Sequence, residues 1–139
     1  MVTFLCYVTL MGDDEIRTWY ESQSPNVQAA IYAILEALRN RPATRWRRKL
    51  YAELRSHICA GLGEIRIEEP KGVQRRILGF FDQTRSVFTL LYPFDKDCDP
   101  AYVVACPEAQ QRKDDVERDT SRTCKCDFPA RGRVGRLVG

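Results

Sequence analysis

The sequence predicts an α+β fold: an N-terminal strand, a helical hairpin, a three-stranded antiparallel meander and a C-terminal helix. Three observations predict it: an apolar opening segment, a helical apolar repeat before Pro42, and three apolar or alternating segments with short polar connections. A chain of 139 residues fits one domain. We expect this domain to span residues 1–119, with residues 120–139 as a flexible basic tail.

The N-terminal half contains the predicted strand and helical hairpin. Residues 2–10 are rich in β-branched and aromatic types, which favours a strand, and a short amphipathic helix follows the acidic residues 13–15. In the second helix, Ser24 is placed to cap the start and Pro25 suits the first helical position. That helix should end before Pro42. We expect the hairpin to cover one face of the sheet and to leave the opposite face open for a ligand.

The C-terminal half contains the predicted meander and last helix. Ile65 and Ile67 alternate with charged residues, which indicates a strand with one wet face. The other elements are predicted as a helix at residues 45–58, a turn at 70–72, strands at 73–81 and 86–94, and a helix at 107–119. The last helix is started at Pro107 because proline does not fit a helix interior, and residues 100–106 are left open.

Composition argues for a soluble, cytoplasmic protein. Hydrophobic residues make up 44% and charged residues 29%, and no apolar run approaches the roughly 20 residues of a membrane span. The opening segment has no basic stretch or cleavage site typical of a signal peptide. The cysteines match no zinc spacing, and we expect them to be reduced thiols. They are Cys6, Cys59, Cys98, Cys106, Cys124 and Cys126.

Charge is distributed unevenly along the chain, although the net charge is only +3. Basic residues crowd one segment, which fits either a phosphate-facing patch or a solvated helix face. These residues are Arg39, Arg41, Arg45, Arg47, Arg48 and Lys49, whereas acids collect at Asp13, Asp14, Glu15, Asp95, Asp97 and Asp99.

The wet face of the predicted meander carries the candidate chemistry. Arg66 lies between two buried isoleucines and should point outward, as should either Arg75 or Arg76 on the next strand. Tyr92 and Lys96 lie at the end of the last strand. Guanidinium groups bind phosphate oxygens bidentately, so this grouping suits a phosphodiester. The same arginines could instead form surface ion pairs of little energy, and Tyr92 could be a half-buried core residue.

Other kinds of active site are not indicated. The chain lacks a nucleophile elbow, a Walker-type phosphate loop, a zinc-protease helix motif and a dinucleotide fingerprint. Its one histidine, His57, lies near the end of a predicted helix, where a surface role is favoured over a catalytic one. These absences argue against a two-carboxylate hydrolase or an NTPase.

Five features in order resemble the phage-derived, HigB-like branch of the RelE/ParE toxin superfamily. They span roughly residues 45–118 and read as Glu53-Leu54-Arg55, Glu64-Ile65-Arg66, Arg75-Arg76-Ile77-Leu78-Gly79-Phe80, Phe94-Asp95-Lys96, and Ala109 with Arg112. The preceding strand and helical hairpin fit the same family in order and length. Where relatives often carry a histidine or a second lysine near the last strand, this chain has Tyr92, Pro93 and Asp97.

The resemblance implies a toxin of a type II toxin–antitoxin pair. Such toxins typically cleave mRNA, often on the ribosome, without a metal or cofactor, by attack of the ribose 2′-hydroxyl on the adjacent phosphate. The implied partners are mRNA, the ribosome and an antitoxin of helix-turn-helix type, with no membrane. The implied catalytic residues are Arg66, Arg76, Tyr92 and Lys96, and we expect RNA contacts from Arg45, Arg48, Lys49 and Arg75.

Two alternatives stay open. One is a ParE-like toxin that binds a protein partner without enzymatic activity, and the other is an inactive phage-derived remnant. Loss of RNA cleavage in Arg76→Ala, with the fold intact, is the outcome that the enzymatic hypothesis predicts.

Overall fold

The computed structural model describes residues 1–69, 72–98 and 100–128. Within these ranges, three α-helices and one mixed six-stranded sheet confirm the α+β class. The strands are β1 (Thr3–Tyr7), β2 (Tyr51–Glu53), β3 (Gly63–Glu68), β4 (Gln74–Phe81), β5 (Val87–Lys96) and β6 (Thr123–Lys125), and the helices are α1 (Glu15–Glu21), α2 (Pro25–Arg39) and α3 (Ala101–Arg118). None of the described helices is both long and apolar enough to span a membrane.

The sheet has the strand order β2-β3-β4-β5-β1-β6. Strands β3, β4 and β5 form the predicted antiparallel meander, and β1 lies parallel to β5. A bulge on β5 shifts the register next to Gly79, where a Cβ atom would collide with the Thr89 carbonyl and the Phe88 ring. Glycine is therefore required at this close approach of two strands.

Helix α2 begins at the predicted Ser24 cap, and α1 begins within the predicted acidic stretch 13–15. The Asp14 carboxylate accepts a hydrogen bond from the Arg17 amide at 2.9 Å, and the Ser24 hydroxyl accepts one from the Val27 amide at 3.3 Å. Pro25 occupies the first turn of α2, where its missing amide hydrogen costs nothing. The two helices lie on one side of the sheet, which we call the hairpin face. Isoleucines at positions 65, 67 and 77 are fully buried there.

An aromatic cluster fills the core beneath the helical hairpin. The Trp46 ring lies 5.2 Å from Phe88, 4.8 Å from Phe81 and 5.3 Å from Tyr51, measured between centroids. Its indole nitrogen donates to the Leu38 carbonyl at 2.9 Å, which satisfies the one polar atom of the ring. Burial of each such side chain contributes about 1.5–3 kcal/mol. The cluster fixes the chain between α2 and β2.

The predicted helix at residues 45–58 is wrong. A 3₁₀ turn at Ala43–Arg45, the short edge strand β2 and a second 3₁₀ turn at His57–Cys59 occupy this region. The backbone of Leu50 accepts a hydrogen bond from the Arg66 amide at 2.8 Å, and β2 continues this pairing with β3. Edge pairing and burial of Trp46 therefore override the local helical spacing.

Helix α3 begins at Ala101, so the predicted start at Pro107 is also wrong. Pro107 denies the Val103 carbonyl its intrahelical donor, but Val103 is exposed and water can satisfy that oxygen. The early turns are held in place by buried Ala105 and Cys106. Tertiary contacts thus stabilise a helix that contains an internal proline, which local preference disfavours.

The ordered structure continues past the predicted domain end at residue 119. Strand β6 pairs antiparallel with β1, and the Phe128 ring stacks on Tyr20 with centroids 4.8 Å apart. The edge of β1 supplies the hydrogen bonds that the tail sequence alone does not suggest. The prediction of a flexible tail therefore fails for residues 120–128. Residues 129–139 lie outside the described residues, as do Pro70 and Lys71 of the predicted turn.

The prediction that all cysteines are reduced is also contradicted. Cys6 is bonded to Cys126 and Cys59 to Cys106, each pair with Cα atoms 5.2 Å apart. Both pairs are distant in sequence, and only the fold brings them together. Cys98 and Cys124 are free thiols.

Candidate functional site

Strand register brings the four predicted catalytic residues to one face of the sheet. Arg66 on β3 lies directly opposite Arg76 on β4, and Arg76 lies opposite Phe94 on β5. Lys96 and Tyr92 are two residues either side of Phe94 and so share its face. Since α3 packs on this side, we call it the α3 face. The expectation that these residues come from adjacent strands and share a face is met.

Arg75 lies on the other side of the sheet. Its Nε donates to Gln23 at 3.0 Å, in the connection between α1 and α2, and its Nη1 donates to Glu69 at 2.6 Å. Asp95 also lies within 3.9 Å of the Arg75 guanidinium. Of the two arginines left open by the sequence, Arg76 therefore belongs to the α3 face. Arg75 is not brought together with the predicted site.

The α3 face is partly covered, in contrast to the open face that was predicted. The Tyr102 hydroxyl donates to Glu64 at 2.5 Å, and the Tyr102 ring packs edge-on against Phe94. Further along the helix, the Arg112 guanidinium lies 5.2 Å from the centroid of the Tyr92 ring. Tyr92 is accordingly half-buried beneath Arg112 and is poorly placed to contact a ligand.

Arg76 is buried, with only 4% of its side chain exposed. Its Nη2 donates to Glu68 at 3.3 Å and to Gln74 at 3.0 Å, and its Nε lies 3.5 Å from Glu64. This Nε is the one buried side-chain nitrogen or oxygen of the described residues that lacks a hydrogen-bond partner. Arg76 thus carries a charge that two carboxylates already balance, rather than a charge that faces solvent.

Glu64 contacts Arg66, Arg76 and Tyr102, and we call these four residues the Glu64 cluster. The sequence did not identify Glu64 as functional. Its side chain is 1% exposed, and it binds both Arg66 nitrogens Nε and Nη2 at 3.0 and 2.9 Å. Burial, followed by the hydrogen bond to Glu64, raises the pKa of Tyr102 to about 12, so this phenol remains a donor. Alternation with Arg66 places Glu64 on the same face, but its bridging role depends on the position of α3.

Arg66 is the most accessible arginine of the cluster, with 29% of its side chain exposed. Glu64 engages its Nε and Nη2, so Nη1 remains for a ligand among the described contacts. Glu68, on the same face, is 46% exposed. A guanidinium held in this way by a buried carboxylate can bind a phosphate oxygen. The accessible carboxylate of Glu68 on the same face can accept a proton.

The predicted RNA contacts Arg45, Arg48 and Lys49 lie elsewhere, in the exposed segment before the edge strand β2. They are close together in the chain but separate from Arg75.

Asp95 pairs with Arg75 on the hairpin face, and Asp99 lies outside the described residues. In residues 1–69, 72–98 and 100–128, no group of three His, Cys, Asp or Glu side chains is arranged to hold a metal ion.

Comparison with known proteins does not assign the chain to a group. No protein-family model, curated protein or solved structure matches it. The fold and the site therefore define an α+β protein with a mixed sheet and a paired-arginine face, and its function is argued from that geometry.

Proposed function

We propose that this protein is an RNA-cleaving toxin of the RelE/ParE kind, from a type II toxin–antitoxin pair, and that it acts on mRNA at the α3 face. The observation that carries the proposal is the cross-strand pair of Arg66 and Arg76, with Lys96 on the same face. The ordered sequence features of the HigB-like branch support it. The proposed partners are mRNA on the ribosome and an antitoxin of helix-turn-helix type.

The proposed reaction is an internal phosphoryl transfer. The ribose 2′-oxygen attacks the adjacent phosphorus, its proton passes to a base, and the 5′-oxygen leaves with a proton. The products are a 2′,3′-cyclic phosphate and a 5′-hydroxyl. Positive charge placed against the equatorial oxygens stabilises this transition state.

Each predicted catalytic residue on the face, together with Glu68, has a proposed role. Arg66 binds a non-bridging phosphate oxygen through Nη1, and Arg76 supports the local field from beneath the surface. Lys96 assists the leaving oxygen, and Glu68 accepts the 2′-hydroxyl proton in place of a histidine. Tyr92, packed under Arg112, positions the strand end rather than touching the substrate.

A second candidate function is a ParE-like toxin that binds a protein without cleaving RNA. The observation that favours it is the neutralisation of Arg76 by Glu64 and Glu68, because a balanced and buried guanidinium contributes less to phosphate binding. The same scaffold would then present its exposed surface to a protein partner such as gyrase.

Two assays separate the candidates. Purified protein is added to a translating extract and new 5′ ends in the mRNA are mapped; in parallel, gyrase supercoils relaxed plasmid with and without the protein. The proposal expects discrete cuts with 5′-hydroxyl ends and normal supercoiling. Intact mRNA together with inhibited supercoiling would instead establish the second candidate.

A further inference from the structure

Positive charge is densest in one segment of fifteen residues. Residues 41–55 contain six basic residues and one acid, Glu53, whereas the tail at residues 120–139 contains five basic residues and one acid over a longer stretch. The remainder of the chain carries 11 basic and 17 acidic residues and is therefore net negative. The basic residues of 41–55, which we call the basic segment, are Arg41, Arg45, Arg47, Arg48, Lys49 and Arg55.

The basic segment also differs from the other basic residues in its pairing. Of the twelve described basic residues outside it, at least ten form ion pairs; they are Arg17, Arg39, Arg66, Arg75, Arg76, Arg85, Arg112, Lys113, Arg118 and Arg122. All six residues of the basic segment are exposed, and none forms an ion pair with any described acid. Cations that are close together in the chain and lack ion-pair partners repel one another, so an external polyanion would relieve that repulsion.

The local backbone holds part of this charge around a groove. The Arg47 carbonyl accepts hydrogen bonds from the amides of Leu50 at 3.3 Å and Tyr51 at 3.1 Å, and Lys49 adopts a left-handed conformation with φ of 72°. This tight turn leads into β2. The groove has a volume of about 300 Å³ and is lined by Trp46, Arg47, Arg48, Tyr51, Ala52, Glu53 and Arg55.

The lining favours a phosphate backbone over a protein partner. Trp46 and Tyr51 are only 6% and 4% exposed, so they form the groove floor and offer no free aromatic surface. Protein interfaces draw much of their binding energy from aromatic anchors in apolar pockets, which this groove lacks. A groove that is lined by arginine guanidinium groups and has no apolar centre instead suits the binding of phosphate oxygens.

We propose that the basic segment is a sequence-independent docking site for the phosphate backbone of single-stranded RNA, distinct from the α3 face. The choice of RNA rests on the proposed function, whereas the binding itself does not require cleavage. The turn adjoins the candidate site, because the Leu50 carbonyl accepts a hydrogen bond from the Arg66 amide at 2.8 Å. A strand docked here would pass over the β2 edge towards Arg66.

The test measures binding with a probe that cannot be cleaved. A fluorescent single-stranded DNA of roughly 20 nucleotides lacks the 2′-hydroxyl, and its anisotropy is titrated between about 50 and 200 mM salt. We expect the triple variant Arg47→Gln/Arg48→Gln/Arg55→Gln to bind at least about 10-fold more weakly. For this variant, the slope of log affinity against log salt concentration should be shallower by about 2, as expected for three lost phosphate contacts.

A matched variant controls for net charge. Arg17→Gln/Arg118→Gln/Lys125→Gln removes the same charge from partly or fully exposed positions outside the basic segment, and we expect less than about a twofold change in affinity. Equal losses in both triples would overturn the proposal, as would unchanged binding in the first. Equal affinity for polyglutamate would also overturn it in favour of an acidic protein partner. Tight, segment-dependent binding without mRNA cleavage would uphold this inference and refute the enzymatic proposal.

Discussion

At the scale of single residues, Glu64 determines the charge state of the candidate site. It is almost fully buried and contacts two arginines and a tyrosine, so it compensates charges that would otherwise be costly to bury. Its removal would leave Arg76 with only the partly exposed Glu68 as an anionic partner. Arg76→Ala would likewise remove the cation that Glu64 and Glu68 share, so a loss of activity in that variant could not be separated from a loss of the fold. Arg66 is the better position for testing chemistry.

The first prediction concerns Glu64→Ala. We expect a loss of about 3–5 kcal/mol in the free energy of unfolding, because buried Arg76 and half-buried Arg66 both lose a counter-charge. Glu53→Ala is the matched control: Glu53 also lies on a strand and pairs with an arginine, but it is 61% exposed, so its loss should cost at most about 1 kcal/mol. Urea unfolding of the oxidised proteins measures both. Similar losses in the two variants would show that the buried contacts of Glu64 stabilise the fold no more than a surface ion pair does.

Tyr102→Phe makes a prediction about pH. At neutral pH the variant should lose about 1.5–3 kcal/mol, because Glu64 loses a donor. The Tyr102 pKa is about 12 in the folded protein and 10.0 ordinarily, so the unfolded chain releases this proton first as the pH rises. The stabilisation is therefore complete below about pH 10 and declines towards pH 12. The gap in unfolding free energy between wild type and variant should stay constant up to about pH 10 and shrink between about pH 10 and pH 12, and a constant gap over that range would contradict the raised pKa.

At the scale of elements, α3 decides how much of the candidate face is accessible. Three features hold it: the Tyr102 contact with Glu64, the Cys59–Cys106 disulfide and a hydrogen bond from Gln110 to the Ala60 carbonyl at 2.7 Å. Spacing in the sequence could not show these, since each joins parts of the chain that are distant from one another. The same is true of β2, where pairing with β3 replaces the helix that Trp46, Leu50 and Leu54 suggest.

The disulfides give the prediction at this scale. Unfolded, non-reduced protein should react with a thiol reagent at two cysteines, Cys98 and Cys124, and after reduction at all six. Cys59→Ala/Cys106→Ala should lower the free energy of unfolding by about 2–4 kcal/mol, since the closed loop restricts the unfolded chain. Cys98→Ala should have little effect. Six reactive thiols before reduction would restore the original expectation of reduced cysteines.

At the scale of the whole molecule, the sequence predicted the parts that follow from local pattern. Alternation around Ile65 and Ile67 placed Arg66 outward, and the acidic residues 13–15 and the Ser24 cap located the starts of two helices. The accessibility of the site could not be predicted, because the burial of Arg76 depends on strand register and on where α3 docks. The same limit applies to β6, which becomes a strand only because β1 offers it a free edge.

The molecule as a whole carries its unpaired basic segment beside the edge strand of the sheet and its paired arginines on the α3 face. The two proposals therefore assign docking and cleavage to different residues. Substitutions in the basic segment should therefore weaken binding with little effect on the rate of cleavage at saturating RNA. Substitutions at Arg66 should do the reverse.

The most direct measurement of the central claim is the rate of mRNA cleavage in a translating extract by wild-type protein, Arg66→Lys and Arg118→Ala. Arg66→Lys keeps a cation beside Glu64 but removes the guanidinium fork, and we expect a fall of about 10²–10³-fold. Arg118→Ala removes an exposed cation at the far end of α3 and should stay within about twofold of wild type. Cleavage by Arg66→Lys at the wild-type rate, or no cleavage by the wild-type protein, would contradict the assignment of the α3 face as a ribonuclease site.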